Sequence, residues 1–134
     1  MKKDISFLPV EGVKIAIARR KSSANEYEWH VYLLNRNDQT LTNVFVTSKG
    51  YGFNGNDKQE TSTLRHLIEE VEPDGYSMIE RIDPAVFHLS NEYWISYFIK
   101  NQVYDKKFVF VPGSIAEDNL IKIQHINLEG ILHE

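Results

Sequence analysis

Apolar and polar residues alternate along most of the chain with a period of two, the spacing that sends successive side chains to opposite faces of an extended strand. The densest run is Tyr93-Trp94-Ile95-Ser96-Tyr97-Phe98-Ile99, followed after Lys100-Asn101-Gln102 by Val103 to Val111. β-Branched and aromatic residues at this density predict a hairpin at the centre of the core. Its first arm sets Tyr93, Ile95, Tyr97 and Ile99 on one face and Trp94, Ser96 and Phe98 on the other. Both faces are apolar enough that both are expected to be covered. Pro112-Gly113 ends the second arm, since proline lacks a ladder donor and glycine permits a turn.

The same rhythm recurs on either side. Val13, Ile15 and Ile17 alternate after Gly12, and Tyr27, Trp29, Val31 and Leu33 alternate against Glu28, His30 and Tyr32. Asn35-Arg36-Asn37-Asp38-Gln39 reads as a turn, and Leu41 to Val46 as the next strand. In Thr61 to Val71, Leu64, Leu67, Ile68 and Val71 follow helical spacing, but the surrounding pattern favours a strand with at most a helical turn at Ile68 to Val71. Glu72-Pro73-Asp74-Gly75 ends that element. Tyr76 to Ile82 is a strand broken by Asp83-Pro84, and Ala85 to Leu89 leads into the central hairpin. Gly113 to Asn119 is a connection, Leu120 to Ile126 the last strand and the remainder a short tail. Residues 1–11 form a lead-in. Strands this regular predict a single all-β domain over residues 1–134, an immunoglobulin-like antiparallel β-sandwich of about seven to nine strands.

A length of 134 residues suits one core. The formal charge of −4 supplies no electrostatic footprint for nucleic acid or an acidic membrane, so neither is expected as a partner. The absence of cysteine excludes disulfides, thiolate nucleophiles and cysteine-held metal. Asp4 and Pro9 interrupt the N-terminal segment before a signal-peptide core could form, and no stretch is long and apolar enough for a transmembrane helix. A cytoplasmic location is the expectation.

Candidate chemistry is sparse. Ser48 to Lys58 holds glycines at 50, 52 and 55 around Tyr51 and Phe53, with the hairpin signal Asn54-Gly55. As an exposed loop it would present Lys49, Tyr51, Phe53 and Asn54 to a partner, with His66 as a polar group beside them. A glycine-bulged hairpin whose rings lie back on the sheet is the favoured reading of the two. The glycines do not match a phosphate-binding loop, because no Lys-Ser/Thr pair follows. Histidines at 30, 66, 88, 125 and 133 fall one per segment without metal-ligand spacing. Glu69, Glu70, Glu72 and Asp74 lack calcium-loop spacing and read as a solvated corner, as does the basic run Arg19-Arg20-Lys21. No nucleophile elbow occurs. The reading assigns no catalytic residue, cofactor or metal.

Three runs, Leu41 to Gly52, Thr61 to His66, and Glu92-Tyr93-Trp94 through Tyr104 to Pro112, together resemble a small family of bacterial β-rich proteins of about 130–140 residues, some of which carry the name phenylalanyl-tRNA synthetase alpha subunit. The resemblance covers nearly the whole chain. It implies no catalytic residues, and no ATP-binding motif is recognisable here. The expected function is a non-catalytic module that binds a protein partner or a second copy of itself. A small-ligand-binding or enzymatic domain built on residues 49–58 is the alternative.

Overall fold

The computed structural model describes residues 10–134; most of the expected lead-in lies outside them. Ten strands follow in order: β1 (Val13–Lys21), β2 (Tyr27–Asn35), β3 (Leu41–Asn54), β4 (Asp57–Glu60), β5 (Leu64–Val71), β6 (Tyr76–Arg81), β7 (Ser90–Ile99), β8 (Gln102–Phe110), β9 (Ile121–Ile123) and β10 (Leu128–His133). They form two antiparallel sheets, an all-β sandwich-like fold. The first runs β6-β2-β1-β10-β9 and the second β4-β3-β7-β8. β3 is long enough to serve two partners on one side, β5 along Leu41 to Ser48 and β4 along Tyr51 to Asn54.

The inner faces meet as the alternation requires. Val13, Ile15, Ile17, Val31 and Leu33 of the first sheet pack against Val44, Val46, Tyr93, Ile95, Tyr97, Phe108 and Phe110 of the second. The doubly covered element differs from expectation. Trp94 is 46% exposed, and Ser96 and Phe98 are only half-buried, so the outer face of β7 meets water. The strands covered on both sides are instead β1 and β2. Their outer residues Ala16, Ala18, Tyr32 and Leu34 lie under Ile123 and Ile126, which arrive from the segment around β9. Two alanines leave room for that second layer, whereas the rings of β7 are tolerated at a surface that strand alternation makes half polar.

The C-terminal segment also differs from expectation. The last predicted strand is only Ile121–Ile123, and the supposed tail is β10, which pairs with β1 from Ile15↔His133 to Arg19↔Glu129. Gly130 makes that pairing possible: a Cβ there would stand 2.5 Å from the Ile17 carbonyl oxygen. Residues 64–71 form the expected strand, extended through Ile68 to Val71 as well. Residues 48–58 form the hairpin that the glycines and Asn54-Gly55 favour, with β3 running to Asn54 and turning at Gly55-Asn56 into β4. Where β4 hands over to β5, Thr61 locks onto Gly50, whose N–H donates to Thr61 Oγ1 at 2.7 Å and whose carbonyl accepts from the Thr61 N–H at 2.9 Å.

Asn35, fully buried at the end of β2, ties the turns together at one end of the sandwich. Its Nδ2 donates to the carbonyls of Gln39, Glu72 and Val71 at 2.9, 3.0 and 3.2 Å, and its Oδ1 accepts from the Asn37 N–H at 2.9 Å. No helix of the described residues is long and apolar enough to cross a membrane.

Candidate functional site

Strand parity separates the residues that the sequence suggested as one site. Along β3, even-numbered Val44, Val46 and Ser48 face the core, so Lys49 and Tyr51 face outward. His66 stands opposite Val46 and therefore faces inward. The imidazole and the two rings lie on opposite faces of one sheet, and His66 is no part of the hairpin surface.

The hairpin surface is a concavity of about 540 Å³ lined by Lys49, Tyr51, Phe53, Lys58, Glu60 and Glu92 among others. Tyr51 is half-buried and donates its hydroxyl to Glu92 Oε1 at 3.2 Å, while Lys107 Nζ stands 3.9 Å from the same oxygen. Burial, and then the Glu92 carboxylate, push the Tyr51 phenol above its ordinary range. Lys49 Nζ lies 5.8 Å from the Tyr51 ring centre. Phe53 remains 64% exposed, and Asn54 closes the strand opposite Asp57 beside the turn. One of the two rings thus lies back on the sheet and the other projects.

Further along the same outer face, Phe45 is 53% and Leu67 58% exposed, and they stand directly opposite one another on β3 and β5. Phe45 also faces Ser96 on β7, and neighbouring Thr47 faces Trp94, so the three apolar side chains adjoin diagonally. Trp94 is held in place by its indole N–H, which donates to Asp105 Oδ1, and by Lys107 Nζ 5.5 Å from its ring. Sequence reasoning missed this group. Phe45 and Leu67 share a period-two face with Thr47 and Arg65, a signal that becomes legible only once β5 is paired with β3.

On the inner face, Glu80 of β6 reaches across from the first sheet and receives donors from three strands of the second. His66 Nε2 lies 2.6 Å from Glu80 Oε1, Ser48 Oγ donates to the same oxygen at 2.9 Å, and Tyr93 OH donates to Oε2 at 3.2 Å. Burial first, and then the Glu80 charge, push the Tyr93 phenol far upward. The group borders a small pocket of about 190 Å³ that also takes in Thr61, Ser62, Asp83 and Asn91. Serine, histidine and a carboxylate meet here, but the serine hydroxyl points at the carboxylate rather than the imidazole. No nucleophile–base pair forms, and the carboxylate is consumed by its three donors. The arrangement fastens the two sheets along an edge.

Glu80 could not be found by alternation. Tyr76 and Met78 of β6 are exposed, and a regular strand would place Glu80 with them. A β-bulge opposite Val31 and Tyr32 inserts Ile79 as an extra residue, so that Met78 faces out and Glu80 faces in.

The remaining histidines each have partners of their own. His88 pairs with Gln59 Oε1 at 2.8 Å, His125 with the Asp74 carbonyl at 2.7 Å, and His133 packs edge-on against Phe108 and Phe110. His30 is buried on β2, and desolvation lowers its pKa. Among the described residues no group of three or more acidic or histidine side chains could hold a metal. In the basic run, Arg19 departs from expectation. It is nearly buried, bonded to Glu117 at 2.8 and 3.1 Å and to Glu129 at 3.1 Å, and lies over the Tyr27 ring at 3.9 Å. Its carboxylate partners come from the far end of the chain, where sequence spacing gives no warning of them.

Compared with protein-family models, with curated proteins and with solved structures, the chain finds no match.

Proposed function

We propose that the chain is a non-catalytic binding module that holds a protein partner on the outer face of the sheet containing β3, β5, β7 and β8. One observation carries the reading: Phe45, Leu67 and Trp94 stand adjacent and about half exposed on that face. Apolar side chains grouped by register, with the Trp94 ring already fixed by Asp105 and Lys107, offer a preorganised contact of the kind that anchors interfaces. Arg65 and Lys107 lie on the same face beside the apolar group, so the partner suited to it is apolar with carboxylates at its margin. The immunoglobulin-like comparison belongs to this proposal and rests on the two packed antiparallel sheets alone. So does the cytoplasmic setting, which suits a fold held without cysteine.

A second reading has its own observation. The concavity beside the β3–β4 hairpin brings Tyr51 and Phe53 together with Lys49, Lys58, Glu60 and Glu92, a mixed wall suited to a small polar ligand with a flat face. Affinity capture from cells, with three baits in parallel, separates the two. We expect wild-type chain and a folded Phe53→Ser variant to retain the same protein and a folded Phe45→Ser/Trp94→Ser variant to lose it. Equal capture by all three baits, or capture by none, refutes the partner on the outer face. A small molecule retained by wild type and lost with Phe53→Ser favours the concavity.

A further inference from the structure

We infer that two copies of this chain join through β8, edge to edge, in the one register that sets Asp105 of each copy against Lys107 of the other. This does not depend on the outer-face reading above.

Among the described residues β8 pairs only with β7, and it is nine residues long. An edge of that length with no strand paired to it among the described residues presents outward N–H and C=O groups, and natural edges that stay single are shortened, bulged or charged against their own kind. β8 is unbulged along its whole register with β7, from Asn91↔Phe110 to Ile99↔Gln102. It therefore offers a regular template.

Which groups face outward follows from the turn. Lys100-Asn101 is a two-residue hairpin loop closing on Ile99↔Gln102. Such a loop closes on a pair that exchanges both backbone bonds, and the pairs alternate from there. The even-numbered residues of β8 thus bond to β7, and Val103, Asp105, Lys107 and Val109 turn their N–H and C=O groups to the open edge. The Gln102 side chain agrees with this, donating from Nε2 to the Val103 carbonyl at 3.1 Å.

An antiparallel two-fold pairing must set outward-bonding residues against one another and keep each sheet face continuous. Centring the axis on Asp105 would oppose that carboxylate to its own copy, and centring it on Lys107 would oppose two ammonium groups. Centring it on Lys106 opposes Asp105 to Lys107 of the second copy twice over, and Val103 to Val109 of the second copy on the same face. The charge pattern selects this register and penalises its neighbours. On the inner face Lys106 meets its own copy, but its ammonium lies over the Phe108 ring at 4.7 Å and is drawn along its own strand, away from the axis. The product is a sheet continuous across both copies, with the two Trp94 rings on a shared outer face.

An edge joint buries little beyond a standard interface's lower end, so the dimer is weak and concentration-dependent. Sedimentation equilibrium of the full chain over a wide concentration range measures it. Asp105→Lys or Lys107→Asp alone places two like-charged pairs at the joint and is expected to weaken association about tenfold or more. The double exchange Asp105→Lys/Lys107→Asp restores the opposite-charge pairs and is expected to recover it. Val109→Pro removes an outward N–H without touching the β7 ladder and is expected to abolish association while circular dichroism stays unchanged. Wild type that remains monomeric throughout overturns the inference. So does a dimer indifferent to both single exchanges, or one that the double exchange fails to recover.

Discussion

Replacing Asn35 tests whether the end of the sandwich is held by hydrogen bonding or by packing. Its amide gives two N–H groups to three carbonyls and takes one backbone N–H, from the last residue of β5 and from the turns that join β2 to β3 and β5 to β6. Asn35→Ala strips these partners unequally. Val71 is buried, and its carbonyl would lose this donor where water does not replace it, a cost of about 1–3 kcal/mol. The Glu72 carbonyl keeps a second donor, the Gly75 N–H at 2.9 Å. Gln39 is exposed and regains water, as the Asn37 N–H does in part, so these contribute about 0.5–1.5 kcal/mol each. The sum is about 2–6 kcal/mol, a large share of the stability of a domain this size. Asn35→Asp is the sharper probe, because it keeps the volume and removes the donors. An ionised carboxylate would then face the carbonyls of Val71 and Glu72, so the loss should equal or exceed that of alanine at neutral pH. The same carbonyls stabilise the protonated acid, raising the folded pKa of the new carboxyl above its unfolded value. Its deficit should accordingly be smallest in acid, below the unfolded pKa, and grow as pH rises through the folded one. Urea unfolding followed by tryptophan fluorescence, with m unchanged, measures all three proteins. An aspartate variant as stable as wild type at neutral pH refutes the reasoning, since packing alone would then account for the site.

Two further outcomes follow from single positions. Gly130→Ala drives a Cβ to 2.5 Å from the Ile17 carbonyl and 2.8 Å from Ala18 Cα, both backbone atoms within a central pair of strands, and should cost about 1–3 kcal/mol or prevent folding; a midpoint unchanged in urea would show that β10 does not press on β1 as described. Burial holds the phenols of Tyr93 and Tyr97 well above their ordinary range. Because their folded pKa values exceed the unfolded value of about 10, stability should fall as pH rises past that point. Phenolate absorbance should show these two of the seven tyrosines ionising only as circular dichroism is lost. Reversible titration of all seven with the fold intact would contradict their burial.

Period-two alternation and turn chemistry determine locally where the chain is extended and where it bends, and for that reason the strands at Val13, Tyr27, Leu41 and Tyr93 and the breaks at Asn35, Pro73, Pro84 and Pro112 are legible from the residues alone. Two packed antiparallel sheets follow from them. What alternation leaves open is which strand lies beside which, because a period of two is shared by every strand and carries no address. Leu128 to His133 is short and mixed in polarity, and only its pairing with β1 makes it a central strand rather than a tail. That pairing also brings Glu129 to Arg19 across 110 positions of sequence, so an ion pair between a buried arginine and an exposed carboxylate arises where the local pattern shows a solvated basic run. The candidate surfaces depend on the same long-range choices. Glu80 faces inward because a bulge at Ile79 shifts its phase, and Phe45, Leu67 and Trp94 become one group because β5 and β7 flank β3. The chain's own residues set the strands, and the free energy of covering both faces of β1 and β2 decided their order.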